Sequence, residues 1–334
     1  MPSNPIPPSH KILDSFPYPP FVFNADGTIS RNCSMFPRAE ANPDSDSHTQ
    51  VLTKDIPVNQ SKNTSVRIFL PRQALDSSTS TKLPLIVYFH GGGFVLCSSA
   101  TSIYHDLCQN FATKLSAVIA SVDYRLAPEH RLPAAYDDAV DVLHCIKTSQ
   151  EDWLQKYVDF SSCYLMGDSA GGNIAYHAGL RAVAQVDNLF PLKIKGLILY
   201  KPFFGGEKRT ETELRIANDP EFPSDFTDLM WALSLPIGVD RDHEYCNPMV
   251  GDGLKLLEKF KPLGLKVMVT GGFGDPLFDR QIELLKIMEQ KGVKVVSHFD
   301  DSRHRTEDFC DPVKRMALYG YVKDFISSPT VDAQ

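Results

Sequence analysis

A serine flanked by glycines, between a predicted strand and a predicted helix, constrains this chain more than any other feature. Residues 167–171 read Gly-Asp-Ser-Ala-Gly, which is the pattern G-x-S-x-G. An apolar run at 164–166 precedes the pattern, and small residues with helical character at 173–178 follow it. A sharp turn from strand to helix crowds its own backbone, so glycines are needed two residues on either side of the serine. The pattern therefore predicts that Ser169 stands exposed at a helix N-terminus, where backbone N–H groups can stabilise a developing negative charge.

Apolar strands and helices alternate along most of the chain. The fully apolar segment at 85–89 is typical of a strand in the buried middle of a parallel sheet, and the next strand is predicted at 117–122. Further strands are predicted at 164–166, 194–200, 266–270 and 293–299, with helices at 103–115, 134–147, 173–178, 282–290 and 312–326. This alternation predicts an α/β fold with a mostly parallel sheet and helices on both faces. An earlier pair of strands, at 51–57 and 64–70, is predicted to be antiparallel.

Two segments break this alternation. The first 50 or so residues are rich in Pro, Ser and Asn, and we predict an irregular arm with one short helix near 11–16. Residues 205–263 form an insertion rich in proline and charge, with one predicted helix at 225–235. Ligands of open α/β sheets bind beyond the C-terminal ends of the strands, where this insertion is expected to lie. We therefore predict one domain over 1–334, with a lid formed by about 1–50 and 205–263.

The composition is that of an ordinary globular enzyme and argues against several other classes of protein. Hydrophobic residues make up 43% and charged residues 22%, and 34 basic against 41 acidic residues give a net charge of −7. Without a basic stripe we predict no nucleic-acid surface, and without an apolar run of roughly 18 residues we predict no membrane span. The chain starts without a secretory pattern and its seven cysteines are scattered, so a cytoplasmic protein with reduced thiols is expected. No metal-ligand spacing such as H-E-x-x-H occurs, and neither a metal nor a cofactor is predicted.

A glycine-rich stretch directly follows the first fully apolar strand. Residues 90–94 read His-Gly-Gly-Gly-Phe, and such glycines let the backbone approach a ligand and direct N–H groups at it. We predict that the N–H groups of Gly92, Gly93 and Ala170 form an oxyanion hole. A phosphate-binding loop is the alternative, but it requires G-x-x-x-x-G-K-[ST], which is absent here.

Three motifs in this order resemble those of a known family. H-G-G-G-F at 90–94, D-Y-R-L-A-P-E at 123–129 and G-D-S-A-G-G-N at 167–173 resemble the hormone-sensitive-lipase-like branch of the α/β-hydrolases. The residues of these motifs, together with the chain length and the N-terminal arm, are most similar to those of the plant carboxylesterases of that branch. The resemblance extends over about 51–326. It implies an α/β-hydrolase fold and a serine carboxylesterase, which hydrolyses small to medium esters through an acyl-enzyme without a cofactor. Its partner would be a small-molecule ester, and the chain could be a monomer or a homodimer.

The resemblance also implies the other members of a catalytic triad, which in this fold follow the order Ser, acid, His. Asp275 comes after the predicted strand at 266–270 and matches the D-P-L acid of the family, whereas Asp279 is a competitor at the start of the next helix. His304 follows the last predicted strand and is the predicted base. His298 lies inside that strand and is predicted to be structural. The histidine would take the serine proton and then protonate the leaving alcohol, while Asp275 fixes the imidazole tautomer.

The sequence around His304 departs from the family pattern. The family has an apolar or aromatic residue directly before the histidine, whereas Arg303 and Arg305 flank it here, with Asp301 nearby. Two alternatives therefore stay open. A lyase, cyclase or dehydratase of specialised metabolites on the same fold is one, although such dehydratases tend to carry threonine as the nucleophile and Ser169 is kept here. A binding protein like the gibberellin receptors is the other, although those receptors lack the catalytic histidine.

Residues around these motifs are predicted to support them. Asp168 and Asn173 are expected to hold the serine turn, and we predict a structural network of Asp123, Tyr124, Arg125 and Glu129 beneath the glycine loop. The aromatic residues are predicted to serve in packing, and those in the lid segment could instead line an acyl or aromatic pocket. These aromatic residues are Trp153, Phe203, Phe204, Phe222, Phe226 and Trp231.

Overall fold

A computed structural model of the protein describes residues 12–13, 16–44, 46, 48–76, 81–219, 222–303 and 309–328. The strands are β1 Phe21–Phe23, β2 Ile29–Arg31, β3 Val51–Asn59, β4 Thr64–Pro71, β5 Leu83–Phe89, β6 Val118–Asp123, β7 Val158–Asp168, β8 Ile194–Tyr200, β9 Lys266–Gly272 and β10 Lys294–Asp300. The helices are α1 Gln73–Asp76, α2 Ser102–Leu115, α3 Ala134–Thr148, α4 Asp152–Tyr157, α5 Ala170–Ala184, α6 Glu211–Arg215, α7 Ser224–Ser234, α8 Gly253–Leu257, α9 Phe278–Gln290 and α10 Pro312–Ser327.

A large, mostly parallel sheet lies at the centre of the described residues. Its eight strands follow the order β10-β9-β8-β7-β5-β6-β4-β3. Only β4 runs against its neighbours, pairing antiparallel with both β3 and β6, while the pairings from β6 to β10 are parallel. The predicted α/β fold with a mostly parallel sheet and an early antiparallel pair is therefore confirmed.

Helices cover both faces of the sheet, and this explains why its central strands are apolar throughout. Successive side chains of a strand point to opposite faces. In β5, Leu85, Val87 and Phe89 pack on the face that α3, α5 and α9 cover, whereas Ile86 and Tyr88 pack on the face of α2 and α10. Each of these strand residues is fully buried. A central strand therefore has no polar face, in contrast to the alternating pattern of a half-buried strand.

The N-terminal arm is less irregular than predicted. Strands β1 and β2 form an antiparallel hairpin closed by the turn at 24–28. The N–H of Asn24 donates to the carbonyl of Thr28 over 2.8 Å, and Gly27 adopts a φ of 84° that favours glycine. The Asp-Gly pair in this turn is a hairpin signal that explains the difference. Of the short helix predicted near 11–16, residues 11, 14 and 15 lie outside the described residues.

The arm and the insertion meet beyond the C-terminal ends of the strands. The ring of Phe16 in the arm lies 5.1 Å from the ring of Phe226 in α7, measured between centroids. Near the other end of α7, the hydroxyl of Ser234 donates to the carbonyl of Gly93, in the loop after β5. The insertion therefore lies over the sheet edge at which ligands of α/β folds bind.

Candidate active site

Ser169 occupies a strained turn between β7 and α5. Its backbone has φ 54° and ψ −121°, which a residue with a side chain rarely adopts. A side chain at Gly167 would overlap the carbonyl oxygen of Gly171, and one at Gly171 would overlap the carbonyl oxygen of Phe89. The strand, turn and helix predicted around the G-x-S-x-G pattern are thus present, and both glycines are required by the close approach of backbone atoms.

Backbone hydrogen bonds hold this turn against β8. The N–H of Ser169 donates to the carbonyl of Tyr200 over 3.0 Å, and the Ser169 carbonyl accepts from the N–H of Phe203 over 2.8 Å. The serine was predicted to be exposed, but only 6% of it is accessible. It faces a cavity instead, because the arm and the insertion cover the turn.

Two polar side chains beside the serine have the supporting contacts predicted for them. The Asp168 carboxylate accepts hydrogen bonds from the hydroxyls of Tyr88, over 2.6 Å, and Tyr104, over 3.3 Å. Burial, and the charge of Asp168, raise the pKa of Tyr88 well above its ordinary value, so this hydroxyl stays a donor. The Asn173 amide donates to the carbonyl of Phe203 over 3.1 Å and so links α5 to the segment after β8.

The glycine loop after β5 adopts a conformation that only glycine tolerates well. Gly92 and Gly93 have φ angles of 110° and 62°. A Cβ atom on Gly93 would lie 2.9 Å from the Met230 side chain of α7. Within the described part of the chain, the N–H groups of Gly92, Gly93 and Ala170 donate to no protein acceptor. All three predicted donors therefore remain available to a ligand.

Beneath this loop, the predicted polar network is only partly formed. The ring of Tyr124 stacks on His90 with centroids 4.3 Å apart, and its hydroxyl donates to the His90 carbonyl over 2.8 Å. Arg125, in contrast, pairs with Asp138 over 2.7 Å. Of the remaining two members, Glu129 pairs with Arg31 over 2.7 Å and Asp123 accepts from the N–H of Ser99. The prediction is therefore right for Tyr124 and Asp123, which bond to the loop after β5, but wrong for Arg125 and Glu129, which pair with charged groups on other segments.

The predicted acid lies in the loop after β9. Asp275 is 1% exposed, and its Oδ1 accepts a hydrogen bond from the N–H of Leu277 over 2.8 Å. The N–H of Asp275 in turn donates to the carbonyl of Gly272. The competitor Asp279 has a different role, because its Oδ2 accepts the N–H of Thr212 over 2.8 Å at the start of α6. The contacts thus favour Asp275 over Asp279 as the acid.

His304 lies outside the described residues, but the chain leading to it is described. The N–H of Gly274 donates to the carbonyl of Ser302 over 3.2 Å, and the N–H of Phe273 donates to the carbonyl of Asp300 over 2.9 Å. Residues 300–303 therefore lie against the loop that carries the predicted acid. His298 stacks on Tyr321 of α10 with centroids 3.9 Å apart, in agreement with a structural role.

An apolar cavity of about 550 Å³ opens above the serine. Ser169, Gly92 and Gly93 line its floor. Its walls are mainly apolar side chains from the arm, the loop after β5 and the insertion, and they include Phe16, Met35, Phe36, Leu96, Phe203, Phe222, Phe226, Met230 and Phe309. Of the predicted aromatic residues, Phe203, Phe222 and Phe226 line the cavity, whereas Phe204 packs on Tyr176 and Trp231 stacks on Phe203. The arm was predicted as part of the lid, but its individual wall residues were not, because they show no periodicity.

Other features of the described residues bear on cofactors and location. No three His, Cys, Asp or Glu side chains among them gather where a metal ion could be held. All seven cysteines are free thiols. None of the helices in the described ranges has the length and apolar character needed to cross a membrane.

Comparison with known proteins agrees with this arrangement. A family model for the alpha/beta hydrolase fold matches residues 86–306. Carboxylesterase 20 of Arabidopsis thaliana is 50% identical over 319 residues, which cover 95% of this chain and 98% of the relative. The 3-O-acetylpapaveroxine carboxylesterase CXE2 of Papaver somniferum is 48% identical over 282 residues, covering 82% of this chain and 90% of the relative. Among solved structures, a hyperthermophilic esterase from the archaeon Pyrobaculum calidifontis superposes with a TM-score of 0.69 at 25% identity, over 84% of this chain and 83% of that chain.

The chain therefore belongs to the α/β-hydrolase family, and within it to the hormone-sensitive-lipase-like branch of plant carboxylesterases. It is accordingly a carboxylic ester hydrolase. The fold and the enzyme class that the motifs implied are thus confirmed, while the roles of individual site residues stay predictions.

Proposed function

We propose that this enzyme is a serine carboxylesterase that hydrolyses small to medium esters through an acyl-enzyme. Ser169 is the nucleophile, His304 the general base and Asp275 the residue that orients the imidazole. The observation that carries the proposal is the position of Ser169, in a strained turn on the floor of an apolar cavity beside Gly92 and Gly93. A strained nucleophile turn next to free backbone donors is the arrangement that acyl transfer requires.

The reaction would proceed in two balanced halves. Ser169 Oγ attacks the ester carbonyl carbon while its proton passes to His304, and the resulting oxyanion accepts hydrogen bonds from Gly92, Gly93 and Ala170. The intermediate collapses, the C–O bond to the alcohol breaks, and the alcohol leaves with the proton from His304. Water then attacks the acyl carbon in the same way, which releases the acid and restores the serine hydroxyl.

The lid is the second part of the proposal. Residues 1–50 and 205–263 would form it within one domain, since the described side chains from both segments line the same cavity. Closure of such a cavity excludes water and favours apolar substrates. The walls of phenylalanine and methionine support esters with an apolar or aromatic group, and an acetyl ester is what the Papaver relative is named for. The free, scattered cysteines support the cytoplasmic location that we predict.

Turnover of p-nitrophenyl esters from acetate to decanoate tests the proposal. We expect a burst of p-nitrophenol equal to the enzyme concentration, followed by slower steady turnover. In Ser169→Ala we expect the rate to fall by a factor of roughly 10⁴ or more, because the acyl-enzyme cannot form. A folded enzyme without burst or turnover on any ester would overturn the proposal. A Ser169→Ala variant that keeps most of the activity on a natural metabolite would instead favour an elimination catalyst that uses the histidine alone.

A further inference from the structure

A buried lysine directly follows β8 at the edge of the active site. Lys201 is 1% exposed, and its φ of 43° lies in the left-handed region that lysine rarely adopts. Removing an ammonium group from water costs several kcal/mol unless other groups stabilise it. A buried lysine with a strained backbone conformation is therefore a candidate for a specific role.

The side chain of Lys201 reaches the segment that leads to His304. Its Nζ donates a hydrogen bond of 2.5 Å to Oγ of Ser302, and this hydroxyl in turn donates to the Asp300 carboxylate. Ser302 is fully buried as well. The positive charge of the buried Lys201 is thus connected through one hydroxyl group to a half-buried carboxylate, which stabilises the ammonium away from water.

Backbone hydrogen bonds at and beside Lys201 reach the segments that carry Ser169 and Asp275, the other two members of the proposed triad. The carbonyl of Tyr200, the preceding residue, accepts the N–H of Ser169. The N–H of Lys201 donates to Oγ1 of Thr270 in β9, the strand that leads to Asp275. Its side-chain partner Ser302 also accepts the N–H of Gly274 in the acid loop. Lys201 therefore contacts the acid strand and the segment before the histidine, and the preceding residue, Tyr200, contacts the serine turn.

We propose that Lys201 is a positioning residue of the active site, whose ammonium group holds residues 300–303, the segment that leads to the proposed base His304, in place against the loop that carries Asp275. The role assigned to His304 rests on the proposed function. Lys201 does not line the cavity beside Ser169, and among the described side chains its ammonium donates to Ser302, through which we expect it to act. A misplacement of about 1 Å in a catalytic group can cost about 100-fold in rate. Loss of the ammonium should therefore lower kcat rather than weaken substrate binding.

Three variants test the role of the ammonium group. Lys201→Met keeps the apolar stem and removes the donor, Lys201→Gln keeps an uncharged N–H donor, and Ser302→Ala removes the acceptor. We expect Lys201→Met and Ser302→Ala each to lower kcat by about 10- to 100-fold with KM changed by less than about threefold. The Lys201→Gln variant should recover part of this loss. The double variant should fall no further than either single one, because both act on the same contact.

Lys266 supplies a matched control. It is equally buried, but it lies at the opposite end of the sheet, where its Nζ donates to the carbonyls of Phe325 and Ser328 at the end of α10. We expect Lys266→Met to lower the thermal midpoint and to leave kcat of the folded enzyme unchanged. A Lys201→Met or Ser302→Ala variant that is also less stable but has the wild-type kcat would overturn the proposal and leave Lys201 a purely structural residue.

The two proposals fail in different ways. If the wild-type enzyme shows neither burst nor turnover on any ester, or Ser169→Ala stays active, the proposed function fails whatever the lysine variants do. If the burst is present and depends on Ser169, while Lys201→Met and Ser302→Ala turn over at the wild-type rate, only the positioning role fails. Because Ser302→Ala introduces no new bulk and no new charge, it keeps the test decisive even if Lys201→Met does not fold.

Discussion

At the level of single residues, Gly171 shows how little freedom the serine turn has. A methyl group at this position would overlap the carbonyl oxygen of Phe89, a backbone atom inside the sheet. We expect Gly171→Ala to lower the free energy of unfolding by at least about 3 kcal/mol, the upper end for overpacking, because neither backbone can move away cheaply.

A second glycine provides the control for that measurement. Gly320 lies at an exposed position of α10, and a Cβ atom there would meet nothing within 4 Å. Alanine is the better helix former, so Gly320→Ala should stabilise the enzyme by about 0.5–1 kcal/mol. Urea unfolding of both variants measures the two effects. A Gly171→Ala variant within about 1 kcal/mol of the wild type would contradict the crowding argument.

The roles of the two neighbouring carboxylates, Asp275 and Asp279, can be distinguished by comparing one variant of each. In Asp275→Asn the imidazole would lose the group that selects its tautomer, and we expect kcat to fall by about 10⁴. Asp279→Asn still offers an oxygen to the N–H of Thr212, so we expect its rate to stay within about threefold of the wild type. Steady-state kinetics on one p-nitrophenyl ester decides between them. Equal losses in both variants would mean that Asp275 has been wrongly assigned.

At the level of elements, helix α7 sets the space above the glycine loop. The side chain of Met230 lies so close to Gly93 that a Cβ there would be 2.9 Å away, and it lines the cavity beside Ser169. Replacing it with alanine enlarges the cavity at that point. For Met230→Ala we expect kcat/KM to shift toward longer or bulkier acyl groups by up to about tenfold relative to acetate, a range typical of hydrophobic pockets.

The matched control for the Met230→Ala variant is an exposed methionine away from the cavity. Met316 of α10 is largely exposed and does not line the cavity, so Met316→Ala should leave the acyl preference unchanged. The measurement is the ratio of kcat/KM for decanoate over acetate in the three proteins. An unchanged ratio in Met230→Ala would show that the acyl group binds away from α7.

Local patterns predicted the regular elements well, but not the contacts between distant segments. Strand β8 was predicted with its observed bounds, and its apolar run at 197–200 is typical of a buried strand. The hairpin of β1 and β2 and the short helices α4, α6 and α8 were missed, since each is too short to show a period. The same limit applies to the site.

For the site residues, too, local motifs were informative and contacts between distant segments were not predicted. Ser169, Gly92 and Gly93 were predicted as site residues because their motifs are local, and the structure brings all three to one cavity. The contact between Phe16 and Phe226 joins residues that are far apart in sequence, and no pattern in either segment predicts it. Lys201 was missed for a related reason, because a lysine after an apolar strand is expected to be solvent-exposed, and only the surrounding fold buries it.

For the molecule as a whole, one buried histidine couples folding to pH. His177 lies in α5 and stacks on Tyr136 with centroids 4.4 Å apart. Burial, together with the charge of Arg181, lowers the pKa of His177 from 6.5 to about 3. Between these two values the unfolded chain binds a proton at this histidine and the folded chain does not. The free energy of unfolding therefore decreases as the pH falls from about 6.5 toward 3, by up to about 1.4 kcal/mol per pH unit from this group.

Replacing the histidine should remove this part of the acid sensitivity. His177→Phe keeps a flat ring against Tyr136 but carries no titrating group. We expect its free energy of unfolding to change less steeply than that of the wild type between about pH 6.5 and pH 4.5, with a slope smaller by up to about 1.4 kcal/mol per pH unit. Urea unfolding across this range measures the slopes, and His130→Gln, at an exposed position, controls for the loss of one histidine. Parallel curves for the wild type and His177→Phe would mean that His177 takes up its proton equally in the folded and unfolded chains.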